Sequence, residues 1–200
     1  MFRTRIDHAL NLPQSARTRL ARHAVAILFF AMLTAVTARL AIPLPFTPVP
    51  ITLQVWAILL SGLVLGRRAG AGSQIAYLVA LLAGLPISTT GLGGPGVFLG
   101  PTGGYLLAFP VGAFVAGWII EQLPLRHGWA GFAIHLLAGL AGVLAIYAGG
   151  VAWLTVLLGD IATAIAQGAL PFLGADLFKV LLAALAASGG RAFLNPTPKP

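Results

Sequence analysis

The chain has 200 residues, 58% of them hydrophobic and only 8% charged, with a mean hydropathy of +0.96. That is more apolar side chain than one water-soluble core can hide, so the composition points to an integral membrane protein. Cysteine is absent, which excludes disulfides and thiolate metal sites; the net charge of +8 sits mostly in short flanks beside apolar runs, which suits topology signals and anionic headgroups rather than nucleic acid.

Long Ala/Leu/Val runs replace the short alternating strands a membrane barrel needs, so the fold class expected is all-α, a polytopic bundle. Residues 1–22 read as a basic cytoplasmic tail, 23–190 as one membrane domain, and 191–200 as a second cytoplasmic tail. The first apolar run, 24–41, exceeds the roughly 7 to 15 residues of a signal-peptide core and reads as a retained helix. It carries Ala31 and Ala35, a small-x-x-x-small pair, and near its far end Arg39, which either snorkels to headgroups or pairs with Asp176 or Asp160.

Five more apolar segments follow, at 51–65, 72–85, 104–120, 129–148 and 172–187, giving six transmembrane helices. The second and third are shorter than the roughly 20 residues of a comfortable span, so their connections are expected within the membrane profile. If six helices alternate, Arg3, Arg5, Arg17, Arg19, Arg22, Arg67, Arg68, Arg126, Arg191 and Lys199 all fall on one side. The positive-inside rule makes that side the cytoplasm and places both termini there. The outer connections are of another kind. "IPLPFTPVPIT" (42–52) has four prolines and reads as a stiff extended turn. The segment 84–104 is glycine-rich and uncharged; its Gly91, Gly93 and Gly96 spell G-x-G-x-x-G without the βαβ setting a dinucleotide site requires. The segment 149–170, with Trp153 and Asp160, reads as a short interfacial helix or lid anchored by Trp153.

The sixth segment opens "PFLGADLFK". Asp176 and Lys179 lie three apart, hence on one helix face, in the outer half of the span. An ion in the membrane costs about 3 kcal/mol even on the lenient insertion scale, so the pair reads either as self-neutralising or as the polar floor of an outward-facing pocket. Gln54 and Tyr105 stand near the outer ends of their helices and belong with such a pocket. His135, in the inner half of the fifth segment, reads as a packing histidine with no second ligand at metal spacing.

"IPLPFTPVPITLQ" (42–54), "GPTGGYLLAFP" (100–110), "IYAGGVAWL" (146–154) and "LPFLGADLFK" (170–179) resemble, in order and from first helix to last, the BioY family of biotin-binding S components of energy-coupling-factor transporters. The resemblance implies a non-enzymatic membrane protein without a cofactor. It would capture biotin from outside the bacterial cytoplasmic membrane and join a membrane-embedded coupling protein and two ABC-type ATPases. It also implies ligand contacts by Asp176 and Lys179, and a coupling-protein surface at Ala31 and Ala35. Tyr105, Phe109 and Trp153 would wall the biotin rings, and Arg39 is a further ligand candidate. The family's usual glycine before the acid is here Ala175. The asparagine after the third helix that helps bind biotin in some members has no counterpart; "ISTT" offers Ser88, Thr89 and Thr90 there instead, with Thr89 and Thr90 as ligand candidates. Another small vitamin as ligand, a structural subunit, and homo-oligomerisation stay open at this stage.

Overall fold

The computed structural model describes residues 14–123 and 128–194 of the chain. Helix α1 spans Gln14–Ala38, so residues 14–22 of the expected polar tail already belong to a helix. Arg3, Arg5, Arg126 and Lys199, among the cations used to orient the chain, lie outside the described residues. After α1 comes a two-stranded antiparallel ribbon, β1 (Ala41–Ile42) and β2 (Ile51–Thr52), pairing Ala41 with Thr52 and Ile42 with Ile51. The proline-rich segment is therefore a short ribbon closed by a long turn, 43–50, whose Pro43, Pro45, Pro48 and Pro50 lie outside the ladder.

Helix α2 covers Gln54–Leu82 but is not straight: Gly66, at φ +81° and ψ 177°, breaks it. Such a φ is open to glycine and strained for any residue with a Cβ. The two arms fold back on each other. Gln54 Nε2 donates to the Tyr77 hydroxyl at 3.1 Å and Gln74 Nε2 to Ser61 Oγ at 3.2 Å, contacts that 23 and 13 residues of straight helix would forbid. The second and third apolar segments are thus the arms of one helical hairpin, 54–65 and 67–82, about 18 and 24 Å long at 1.5 Å per residue. Both fall short of a hydrocarbon core of about 30 Å. At the turn, Glu121 accepts the Arg67 backbone N–H at 2.8 Å and pairs with its guanidinium at 3.0 Å.

A single-turn helix α3 (Gly96–Leu99) leads into α4 (Gly103–Gln122). Helix α5 runs from Gly128 to Leu158 and a short α6 from Ile161 to Gly168; after a 3-10 turn at Leu170–Phe172, α7 spans Leu173–Leu194. The expected lid over 149–170 is corrected here: Gly149, Gly150 and Trp153 continue α5, and only α6 stands apart. The glycines permit it. A Cβ at Gly149 would lie 2.7 Å from that of Ala108, so α4 and α5 approach too closely for larger residues, and the contact rewards extending α5.

The α2 hairpin packs against α1, α4 and α7, and α5 against α4, α6 and α7. Ile58, Leu59, Leu63, Tyr77, Leu81, Ile146 and Val180 are buried at its centre. The outside is apolar too, with Leu28, Phe29 and Met32 on α1, Leu107, Val111 and Trp118 on α4, and Leu177, Phe178 and Leu185 on α7 exposed. Four described stretches, Leu20–Ala38, Gly103–Gln122, Gly128–Leu158 and Ile161–Gly189, are long and apolar enough to cross a bilayer. Apolar surface both inside and outside a helical bundle is what a multi-pass membrane protein requires.

Candidate functional site

At the end of the bundle that carries the ribbon, the 83–95 loop and α6 lies an open-mouthed cavity. Its walls are mostly apolar, with Ile51, Val97, Leu106, Phe109, Ile146 and Phe172 among them. Gln54, Thr89, Tyr105, Tyr147, Asp176 and Lys179 also line it. This pattern, a largely apolar concavity with a few convergent polar groups, is that of a small-molecule site.

Asp176 stands in the first turn of α7, where the helix dipole favours an acid. It is 4% exposed, and Lys179, one turn on, 6%. Lys179 Nζ donates to Asp176 Oδ1 at 2.6 Å, while the Tyr147 hydroxyl on α5 donates to Oδ2 at 2.6 Å. The carboxylate is therefore held from two sides, and the ammonium keeps donors to spare for a ligand. On α4, the Tyr105 hydroxyl donates to the Gly168 carbonyl at 2.7 Å, and beside it Thr47 of the ribbon's turn donates to the Gln167 carbonyl at 2.7 Å. These two bonds fasten α4 and the ribbon to the end of α6. Asp160, between the Gly128–Leu158 and Ile161–Gly189 spans, accepts from the Thr163 hydroxyl at 2.6 Å and backbone N–H at 2.7 Å, which caps α6 and holds the Asp160 carboxyl below its ordinary range.

The structure brings Gln54, Tyr105, Thr89, Asp176 and Lys179 to one cavity and leaves three expected residues outside it. Trp153 is six residues beyond Tyr147 on α5, about 120° round the helix. It packs at Gly104 beside a shallow groove between α4 and α5, its Nε1 donating to the Gly100 carbonyl at 2.9 Å. Thr90 is exposed, its hydroxyl 3.1 Å from that of Ser88. Arg39 is also exposed and reaches the Ser88 carbonyl at 3.4 Å rather than an acid, the ion pairs among the described residues being Arg67–Glu121 and Asp176–Lys179. Ala31 and Ala35 are half-buried and pack against the core, while Met32 and Val36 of α1 face outward. His135 is buried with Nδ1 2.7 Å from the Gly131 carbonyl, the preceding-turn contact of a packing histidine.

Tyr147 and Tyr77 were not singled out by sequence reading. The chain has three tyrosines, and all three place their hydroxyls in or directly behind the cavity. The available signal was a phenol in an apolar helix where phenylalanine would pack equally well.

The model of the BioY family matches residues 8–195. The chain belongs to the BioY family. Among BioY relatives, the biotin transporter BioY of Thermotoga maritima is 42% identical over 158 residues, 79% of this chain and 89% of that protein. The biotin transporter BioY of Rhizobium etli is 36% identical over 175 residues, 86% and 91% of the respective chains. A crystal structure at 2.1 Å of the S-component for biotin from an ECF-type ABC transporter superposes with a TM-score of 0.80 at 28% identity, covering 90% of this chain and 94% of that one.

Proposed function

We propose that this BioY protein binds biotin and takes it up across the bacterial cytoplasmic membrane as the S component of an energy-coupling-factor transporter. The observation that carries the reading is the buried Asp176–Lys179 pair, braced by Tyr147, at the floor of an apolar cavity. Biotin presents two ureido N–H donors, a ureido carbonyl, an apolar sulfur ring and a valerate carboxylate. Asp176 and the Gln54 amide oxygen suit the donors, Lys179 suits the carbonyl or the carboxylate, and Phe109, Leu106 and Phe172 suit the ring. An analogue lacking a ureido donor would leave a buried acceptor unmatched, which gives selectivity.

The six-span topology counts both arms of the α2 hairpin together with the four longer stretches. With Arg67 and Arg68 at the hairpin turn in the cytoplasm, the cavity opens outward and both termini lie inside. The protein performs no covalent chemistry; energy comes from a coupling protein and two ABC-type ATPases, with the α1 face around Ala31 and Ala35 as the docking surface. Labelled biotin titrated into the purified protein tests the core of this reading. Saturable, high-affinity binding is expected, and its absence overturns it.

A further inference from the structure

Resting on the biotin reading above, we propose that Tyr77 is a positioning residue that sets the polarity of the Gln54 amide, making position 54 a hydrogen-bond acceptor for a ureido N–H. Tyr77 does not line the cavity; it stands directly behind it at 1% exposure. Its hydroxyl lies 3.2 Å from the Ile87 carbonyl and 3.1 Å from Gln54 Nε2.

A carbonyl only accepts, so the Tyr77 proton is committed to Ile87. The phenol oxygen can then only accept from Gln54, which turns the NH₂ end of the amide toward Tyr77. The Gln54 oxygen, which takes no hydrogen bond among the described residues, is left for the cavity that Gln54 lines. The direction of the relay, Gln54 to Tyr77 to Ile87, thus decides which ligand group position 54 accepts.

Ile87, which takes the proton, precedes Ser88 and Thr89, both of which line the cavity, and the Tyr77 ring lies 6.5 Å from that of Phe109, a wall residue. Tyr77→Phe removes the relay and preserves the ring.

The test measures dissociation constants for biotin and for two isosteric lactams, each with one ureido N–H replaced by CH₂. In the wild-type protein, the lactam lacking the N–H that faces Gln54 binds at least tenfold more weakly than biotin. In Tyr77→Phe the amide is free to turn. Biotin and the other lactam are expected to weaken about tenfold, while the first lactam changes less than about threefold. Equal weakening of all three ligands, or no change in any, overturns the proposal.

A double-mutant cycle guards against a fold defect: Tyr77→Phe combined with Gln54→Leu should bind biotin within about twofold of Gln54→Leu alone, and additive losses overturn the proposal. Wild-type protein that binds no biotin overturns the transport reading and this inference with it. Wild-type binding with an indifferent Tyr77→Phe overturns this inference alone.

Discussion

Asp176→Asn probes the site most directly because the substitution keeps shape and removes one acceptor. The carboxylate serves two donors at once, Tyr147 on Oδ2 and Lys179 on Oδ1, both at 2.6 Å. An amide has a single oxygen, so satisfying one donor points its NH₂ group at the other. With both partners more than nine-tenths buried, Lys179 becomes an unpaired ion in an apolar bundle, and breaking one side of a buried pair costs about 3–5 kcal/mol. Removing Lys179 as well should relieve that cost. In detergent, Asp176→Asn should unfold at markedly lower denaturant or temperature, whereas Asp176→Asn/Lys179→Met should recover about 2 kcal/mol or more of the loss. Binding should not recover, because a charged acceptor contributes about 1.5–3 kcal/mol, a factor of roughly 10–150 in biotin affinity. Wild-type affinity in Asp176→Asn, or a double mutant as unstable as the sum of the singles, would refute the assignment of a coupled, ligand-facing pair.

Tyr147→Phe leaves Asp176 paired with Lys179 but no longer braced, so biotin affinity should fall about tenfold in titration calorimetry, with a smaller stability loss than Asp176→Asn. Gly66→Ala places a Cβ at φ +81° and against Glu121 Oε1, and should lower stability by about 1–3 kcal/mol, read as a lower melting temperature without change in the biotin affinity of the folded fraction. Asp160 has a carboxyl held below its ordinary 3.8, so its contribution to capping α6 is full above that value and is lost as pH falls through the lowered one. Hydrogen exchange at residues 161–164 should therefore be unchanged between pH 7 and 5 in the wild type relative to the intrinsic rate, and faster at both pH values in Asp160→Ala.

Hydropathy made the bundle legible, and the charge anomaly at Asp176 and Lys179 marked two residues that line the cavity, because an ion in an apolar helix has few explanations. The hairpin turn at Gly66 was legible only as a short, interrupted apolar pair around Arg67 and Arg68. What hydropathy could not convey was helical phase at long range. Trp153 follows Tyr147 within one quoted motif, yet α5 continues through both glycines, and six residues of helix carry the indole out of the cavity. Thr89 and Thr90 show the same limit in a loop, where adjacent hydroxyls part between cavity and surface.

Of the three tyrosines, Tyr147 explains, with Lys179, how an apolar bundle can hold an acid. Two of the three donate their protons inward, Tyr147 to Asp176 and Tyr105 to the Gly168 carbonyl, and Tyr77 passes the polarity of Gln54 onward to Ile87. Each hydroxyl proton is already spent within the protein, so what Tyr105 and Tyr147, the two that line the cavity, can still offer a ligand is oxygen lone pairs. Together with Asp176 and the Gln54 oxygen they make the cavity rich in acceptors, with Lys179 as the charged donor among its lining residues. The hydroxyls of Thr52, Thr89 and Thr102 on the same lining can donate or accept, so the site suits a ligand that carries N–H groups together with a strong acceptor for Lys179. On the biotin reading, removing the Tyr105 or Tyr147 hydroxyl is expected to relax selectivity among ureido analogues before it unfolds the bundle.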